Sequence, residues 1–221
     1  MGHPIHPLGI LAATLTLSSL TLAGRPIHAA SFSNGSFELG PEPGEFLTLS
    51  TGSTAIPGWL VLGNSIDYIG STWQASDGSR SIDLSGQGVG RIEQTFDTIL
   101  GTTYQVLFDL AGNPAGTPVE KLLRVAATGG TAQDYSFDTT DKTVTAMGWQ
   151  TTAYSFTATS PSTTLLFTSL TNTAFGPALD NVRVSTDGVT PVPTPALLPG
   201  LIGMGVAAWR RRQGEAQAAG E

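Results

Sequence analysis

The stretch D-Y-I-G-S-T-W-Q-A-S-D-G-S-R-S-I-D-L-S-G-Q-G-V-G-R-I-E-Q-T-F, from Asp67 to Phe96, holds two strand patterns with a polar loop ahead of them. Ser81-Ile82-Asp83-Leu84-Ser85 alternates polar and apolar residues, the pattern of a half-buried strand. Ile92, Gln94 and Phe96 share one face of a second strand, reached through the glycine-rich turn Gly86–Gly90. The loop between Tyr68 and Ile82 carries Trp73, Asp77, Gly78 and Arg80, a dense set of aromatic and charged groups in a chain only 12% charged. Two readings follow. In one, Trp73, Tyr68, Asp77 and Arg80 form a ligand-binding surface on the loop. In the other, Trp73 is a core residue and Asp77-Gly78 is only a turn.

Outward from this stretch the same short-strand pattern recurs. Leu60-Val61-Leu62 follows Pro57-Gly58-Trp59, and Tyr104, Val106, Phe108 and Leu110 alternate along a longer strand. Leu123, Val125 and Ala127 share one side of the next, and Tyr135-Ser136-Phe137 opens another. Trp149–Phe156, Thr164–Thr168 and Asp180–Val184 continue to the end of the pattern. No amphipathic helix interrupts them. Short strands separated by Gly, Pro and Asn turns predict an all-β protein, a two-sheet antiparallel jelly-roll sandwich. Trp59 and Trp149, each after a glycine where an apolar strand begins, are expected in its core.

Fifteen acidic residues against six basic ones between Ser31 and Asp187 leave that body at −9, a charge that repels nucleic acid. There is no cysteine, and His3, His6 and His28 all precede the body. Nucleophile–histidine pairs, cysteine nucleophiles and histidine-ligated metal centres are therefore excluded from it. A carboxylate pair of the glycoside-hydrolase kind survives, drawn from Asp67, Asp77, Asp83 and Glu93. Set against it, Asp77 reads as a turn residue, and Asp83 and Glu93 as outward-pointing strand positions. Gly86-Gln87-Gly88-Val89-Gly90 has the glycine spacing of a nucleotide loop but leads into no helix, so it reads as a hairpin turn.

Both ends read as addresses. Residues 1–30, with an apolar run Leu8–Leu22 and small residues before Ser31, have the form of a secretory signal peptide for signal peptidase. The sandwich is expected over 31–187, followed by a linker over 188–196. An apolar segment with Arg210-Arg211-Arg212 spans 197–212, and a tail covers 213–221. The apolar segment is a marginal anchor whose arginines stay cytoplasmic. Pro193-Thr194-Pro195-Ala196, the apolar run and the arginines together resemble the PTPA variant of the PEP-CTERM sorting tails. That resemblance implies export, transient inner-membrane anchoring and cleavage by an exosortase-type enzyme, then release to the cell surface or matrix.

The motifs N-G-S-F-E (34–38), P-G-W (57–59), I-D-Y-I (66–69), W-Q-A-S-D-G-S-R-S-I-D-L-S-G (73–86), I-E-Q-T-F (92–96), Y-Q-V-L-F-D-L-A-G-N-P (104–114), G-W (148–149) and G-P-A-L-D-N-V-R-V (176–184) occur in this order. They resemble the choice-of-anchor C domain, a bacterial relative of the plant cell-wall proteins of domain of unknown function 642. The resemblance implies a galactose-binding-like jelly roll and a non-catalytic, surface-associated module with extracellular polysaccharide as its partner. A self-assembling structural surface protein is the alternative, and a glycoside hydrolase a third. Asp180, in alternation with Val182 and Val184, is expected to point inward, where a carboxylate needs compensation. Glu38 and Asp180 are one expected ligand pair, for a structural calcium ion, a reading that the galactose-binding-like resemblance favours; in the other reading Asp180 is held by backbone N–H groups or by Asn34 and Glu38 is solvated.

Overall fold

The computed structural model describes residues 31–186, so the signal segment and the sorting tail lie outside the described residues. Eleven strands form within this range. They are β1 (Phe46–Ser50), β2 (Leu60–Gly63), β3 (Ser65–Ile69), β4 (Ser81–Asp83), β5 (Gly90–Asp97), β6 (Thr103–Gly112), β7 (Glu120–Ala127), β8 (Gln133–Asp138), β9 (Gln150–Thr157), β10 (Ser162–Ser169) and β11 (Pro177–Ser185). One sheet has the order β1-β3-β4-β11-β6-β9 and the other β2-β5-β10-β7-β8, with antiparallel pairing throughout. The chain passes repeatedly from one sheet to the other, which makes the body the two-sheet jelly-roll sandwich that the strand pattern predicts. No helix among the described residues is long and apolar enough to cross a membrane.

Alternation builds the core. Val106, Phe108 and Leu110 of β6 face Leu165 and Phe167 of β10 across the interior, with the Phe108 and Phe167 rings edge to face at 5.4 Å. Trp59 is buried there, 6.2 Å from Phe167, and its indole N–H donates to the Asn34 carbonyl. Trp149 is half-buried against the same cluster.

Several local expectations are corrected. Phe46–Ser50 and Ser65–Ile69 pair as β1 and β3 although neither range carries a strong alternating signal. The Asn34–Glu38 segment is a turn and contains no strand; it runs beside β11 through the bond from Val182 N–H to the Gly35 carbonyl at 2.9 Å. Gly86–Gly90 does close a local hairpin turn, with an antiparallel bridge between Ser85 and Val89 and the Gly90 amide on the Leu84 carbonyl at 3.0 Å, but β4 and β5 belong to different sheets, so the turn carries the chain from one sheet to the other. β4 is buried on both faces instead of one: Trp73 of the loop after β3 covers Ser81, and the loops of Asn113 and Gly176 close over Asp83. Asp180 pairs with Asp109 on the outer face of the six-stranded sheet. A bulge between Asp180 and Arg183, with Asn181 at φ 50°, then reverses the alternation and returns Val182 and Val184 to the core. The extra residue is why a strict period of two misplaced Asp180.

Candidate functional site

The outer face of the six-stranded sheet brings together Asp67 and Asp83, which are cross-strand partners, and, further along, Asp109 and Asp180. Such a row of carboxylates repels itself unless donors meet it. For Asp109 and Asp180 the loop from Ser71 to Arg80 supplies them. Asp180 Oδ2 accepts the Ser76 and Asp77 amides at 2.7 and 2.9 Å, and Asp109 Oδ2 accepts the Ser76 hydroxyl at 2.6 Å. Glu38 Oε1 accepts the Ser79 and Arg80 amides, both at 2.8 Å, and Oε2 the Ser79 hydroxyl at 2.9 Å. Gly78, at φ 66°, passes so close over Glu38 that a Cβ would lie 2.5 Å from its carboxyl carbon.

These contacts bear directly on the expected calcium ligands. The compensation that buried Asp180 requires comes from N–H donors, including the Asn181 amide on Oδ1 at 2.6 Å. No group of three or more His, Cys, Asp or Glu residues converges among the described residues. In this arrangement Glu38 and Asp180 act as acceptors that buckle the loop down, with hydrogen-bond donors supplying the compensation.

The loop residues proposed to touch ligand are placed as follows. Trp73 is only 4% exposed, its indole N–H donating to Ser81 Oγ at 2.9 Å, so it packs on the outer face of the sheet as a core residue would. Tyr68 is fully buried, donating to the Phe37 carbonyl at 2.5 Å and accepting from Arg80 Nη1 at 3.0 Å. Arg80 is a strut that also reaches the carbonyls of Glu38 and Gly40, and Glu42 at 2.9 Å. Asp77 stands exposed at the loop crest. The structure thus joins Tyr68 to Arg80 but presents no aromatic face among the four, because each ring has an internal polar partner that draws it inward.

Beside the pinned loop, the same sheet face opens into a cleft of about 400 Å³. Asp67 and Ile69 of β3 and Phe46 and Thr48 of β1 lie on it, Thr72 and Trp73 border it on one side, and Gln87, Asn113, Val144 and Phe175 contribute from loops. Phe46 is 51% exposed and Phe175 37%. The Phe175 ring rests on Gly116, where a Cβ would lie 2.2 Å from it, so the absent side chain gives the ring its seat. Apolar walls with a few fixed polar groups are the general make-up of a small-molecule or sugar recess.

Asp67 is half-buried, and Thr48 Oγ1 donates to its Oδ1 at 2.6 Å. Burial holds its pKa above the ordinary carboxylate value, partly offset by that hydroxyl. Asp83 beside it is fully buried and takes three donors: the Ser85 amide at 2.9 Å, the Gly176 amide at 3.1 Å and Asn113 Nδ2 at 2.8 Å. Burial pushes its pKa up to about 7 against the pull of those donors. Asp83 therefore fastens two cleft walls, the Asn113 loop and the loop that carries Phe175 and Gly176. It points outward as its strand position predicts, yet it is sealed from the cleft. Of the carboxylates considered for hydrolysis, Glu93 lies on the other sheet and Asp77 on the loop crest, so Asp67 alone lines the recess. Phe46, Val144, Phe175, Gln87 and Asn113 escaped the sequence reading; the exposed Phe46 within F-L-T-L-S, a strand end with no apolar partner two residues on, was the available signal.

Fold and site define a β-sandwich module with an apolar-walled cleft on the outer face of its larger sheet. Residues 30–185 match the family described as "Protein of unknown function (DUF642)", and the chain belongs to that family. It is 32% identical over 168 residues to halomucin of Haloquadratum walsbyi, covering 72% of this chain and 2% of halomucin. It is 28% identical over 110 residues to Protein DUF642 L-GALACTONO-1,4-LACTONE-RESPONSIVE GENE 1 of Arabidopsis thaliana, covering 46% of this chain and 29% of the plant protein. The chain thus spans a small part of either relative. Among solved structures, it is similar to TmCBM61 in complex with β-1,4-galactotriose, at a TM-score of 0.43 and 14% identity, covering 71% of this chain and 97% of that one. It is also similar to a family 35 carbohydrate-binding module of Clostridium thermocellum, at 0.42 and 14%, covering 63% and 98%. These likenesses are too distant to transfer a ligand.

Proposed function

We propose that this chain is an exported, surface- or matrix-associated module of the choice-of-anchor C type that binds a glycan in the Phe46–Phe175 cleft without transforming it. The observation that carries this reading is the pair of exposed phenyl rings set beside Asp67, Gln87 and Asn113. A sugar's C–H face packs on a ring while its hydroxyls reach fixed acceptors and donors alongside. One carboxylate in the recess supplies no acid–base pair, which supports binding over hydrolysis. Export, processing by an exosortase-type enzyme at Pro193–Ala196 and a transient membrane anchor belong to the same reading.

Affinity electrophoresis across a panel of soluble polysaccharides tests the binding. At least one glycan should retard the protein, and Phe46→Ala with Phe175→Ala should abolish that retardation. Migration unaffected by every polysaccharide, together with concentration-dependent assembly in sedimentation, would favour the structural surface protein instead. For processing, the intact mass of exported protein should show the arginine cluster removed; its retention would overturn that part.

A further inference from the structure

Resting on that reading, the charge pattern around the cleft assigns a class of glycan. Asp67 is the recess's own carboxylate, and beyond the Thr48 bond to Oδ1 no group among the described residues donates to it. Asn113 cannot turn to it, because its amide is given to Asp83 and its carbonyl oxygen accepts the Ala115 amide at 3.0 Å. Among the described residues no lysine or arginine lines the recess. Lys121 is buried within the sandwich with its ammonium on the Gly116 carbonyl at 2.7 Å, and Asp83 is the carboxylate whose charge it feels. A second carboxylate, Asp83, stands directly across from Asp67 on the neighbouring strand, sealed from solvent.

We infer that the cleft takes a neutral glycan through a hydroxyl donated to Asp67 and excludes glycans built of uronic acids. A sugar hydroxyl donating to a carboxylate forms one of the stronger hydrogen bonds available in such a recess. A uronate placed there meets Asp67 with no cation between them, and like-charge contact of this kind is how binding sites reject wrong partners. Phe46 and Phe175 contribute equally to both classes of sugar, since a ring packs on C–H groups whatever the charge elsewhere. Discrimination therefore resides in Asp67 and affinity largely in the phenylalanines.

The test titrates the full 221-residue chain calorimetrically, at low ionic strength and neutral pH, with two series of probes: neutral hexose oligosaccharides (β-glucan and galactan) and oligogalacturonate. The expected result is binding of at least one neutral series with oligogalacturonate weaker by tenfold or more. Asp67→Asn should lower the neutral affinity and narrow the gap between the two series, while Thr48→Ala, which frees Oδ1, should keep the exclusion of uronate. Thermal unfolding checks that each variant is folded. Oligogalacturonate bound as well as the neutral series, or a gap unchanged by Asp67→Asn, overturns the assignment while leaving the glycan-binding reading intact. Binding of neither series overturns the assignment and sinks the glycan-binding reading as well for these sugars.

Discussion

Phe46 and Trp73 border the same cleft and have opposite tasks. Trp73 has its indole N–H satisfied by Ser81 and almost no exposed surface, so its removal leaves a cavity between loop and sheet. Trp73→Ala is expected to cost about 3–5 kcal/mol of stability, the range for large aromatic truncations in cores. Chemical denaturation reads this directly, and a wild-type midpoint for the variant would contradict the packing described. Phe46→Ala, at an exposed position, should leave that midpoint nearly unchanged and weaken binding instead. From the sequence alone Trp73 was open to both readings, a ligand surface on the loop or a core residue, and Phe46 was not singled out. What decided between them was the hydroxyl of Ser81, whose meeting with the indole depends on how the loop folds back.

Among the elements, the Ser71–Arg80 loop shows most clearly what could be read in advance and what could not. Its density of polar and aromatic groups marked it as special, and its position on the larger sheet made the neighbouring cleft possible. The buckle formed by Glu38 and Asp180 depended on the turn at Asn34–Glu38 and on a bulge that turned Asp180 outward. β1 and β3, which carry Phe46, Thr48, Asp67 and Ile69, were not distinguished as strands, and the cleft was lost with them. The long alternating strands β5, β6, β7 and β10 were legible because both their faces have clear destinies. Glu38→Ala should strip hydrogen-exchange protection from the Ser79 and Arg80 amides while leaving the centres of β6 and β10 protected. Adding a calcium chelator to the wild type should change nothing at those amides. Loss of their protection on chelation would restore a cation to Glu38 and Asp180.

At the scale of the whole molecule, buried carboxylates set how stability follows pH. Burial raises Asp83 and Asp180 to about 7, each against the pull of backbone donors. A folded-state pKa above the unfolded value means that the native state holds the proton more tightly. The associated stability is complete below about pH 4 and is lost as pH rises through 7. Asp109 is pushed up by burial but brought below its ordinary value by Ser76, Thr151 and Asn181. Its contribution is lost only on stronger acidification, below that window. The thermal midpoint should therefore fall between pH 5 and pH 8, with a shallower slope for Asp83→Asn; a midpoint that climbs across this interval would contradict the burial argument. Because Gly35 is bonded to Val182, the polypeptide enters and leaves the sandwich at the same spot, a few residues from either limit of the body. Such a module hangs from its chain like a pendant. Tension along a tether held at one end passes it by, and tension drawn between the two ends must first unzip this seam, an early low-force event in a single-molecule pulling trace that precedes rupture of the sheets.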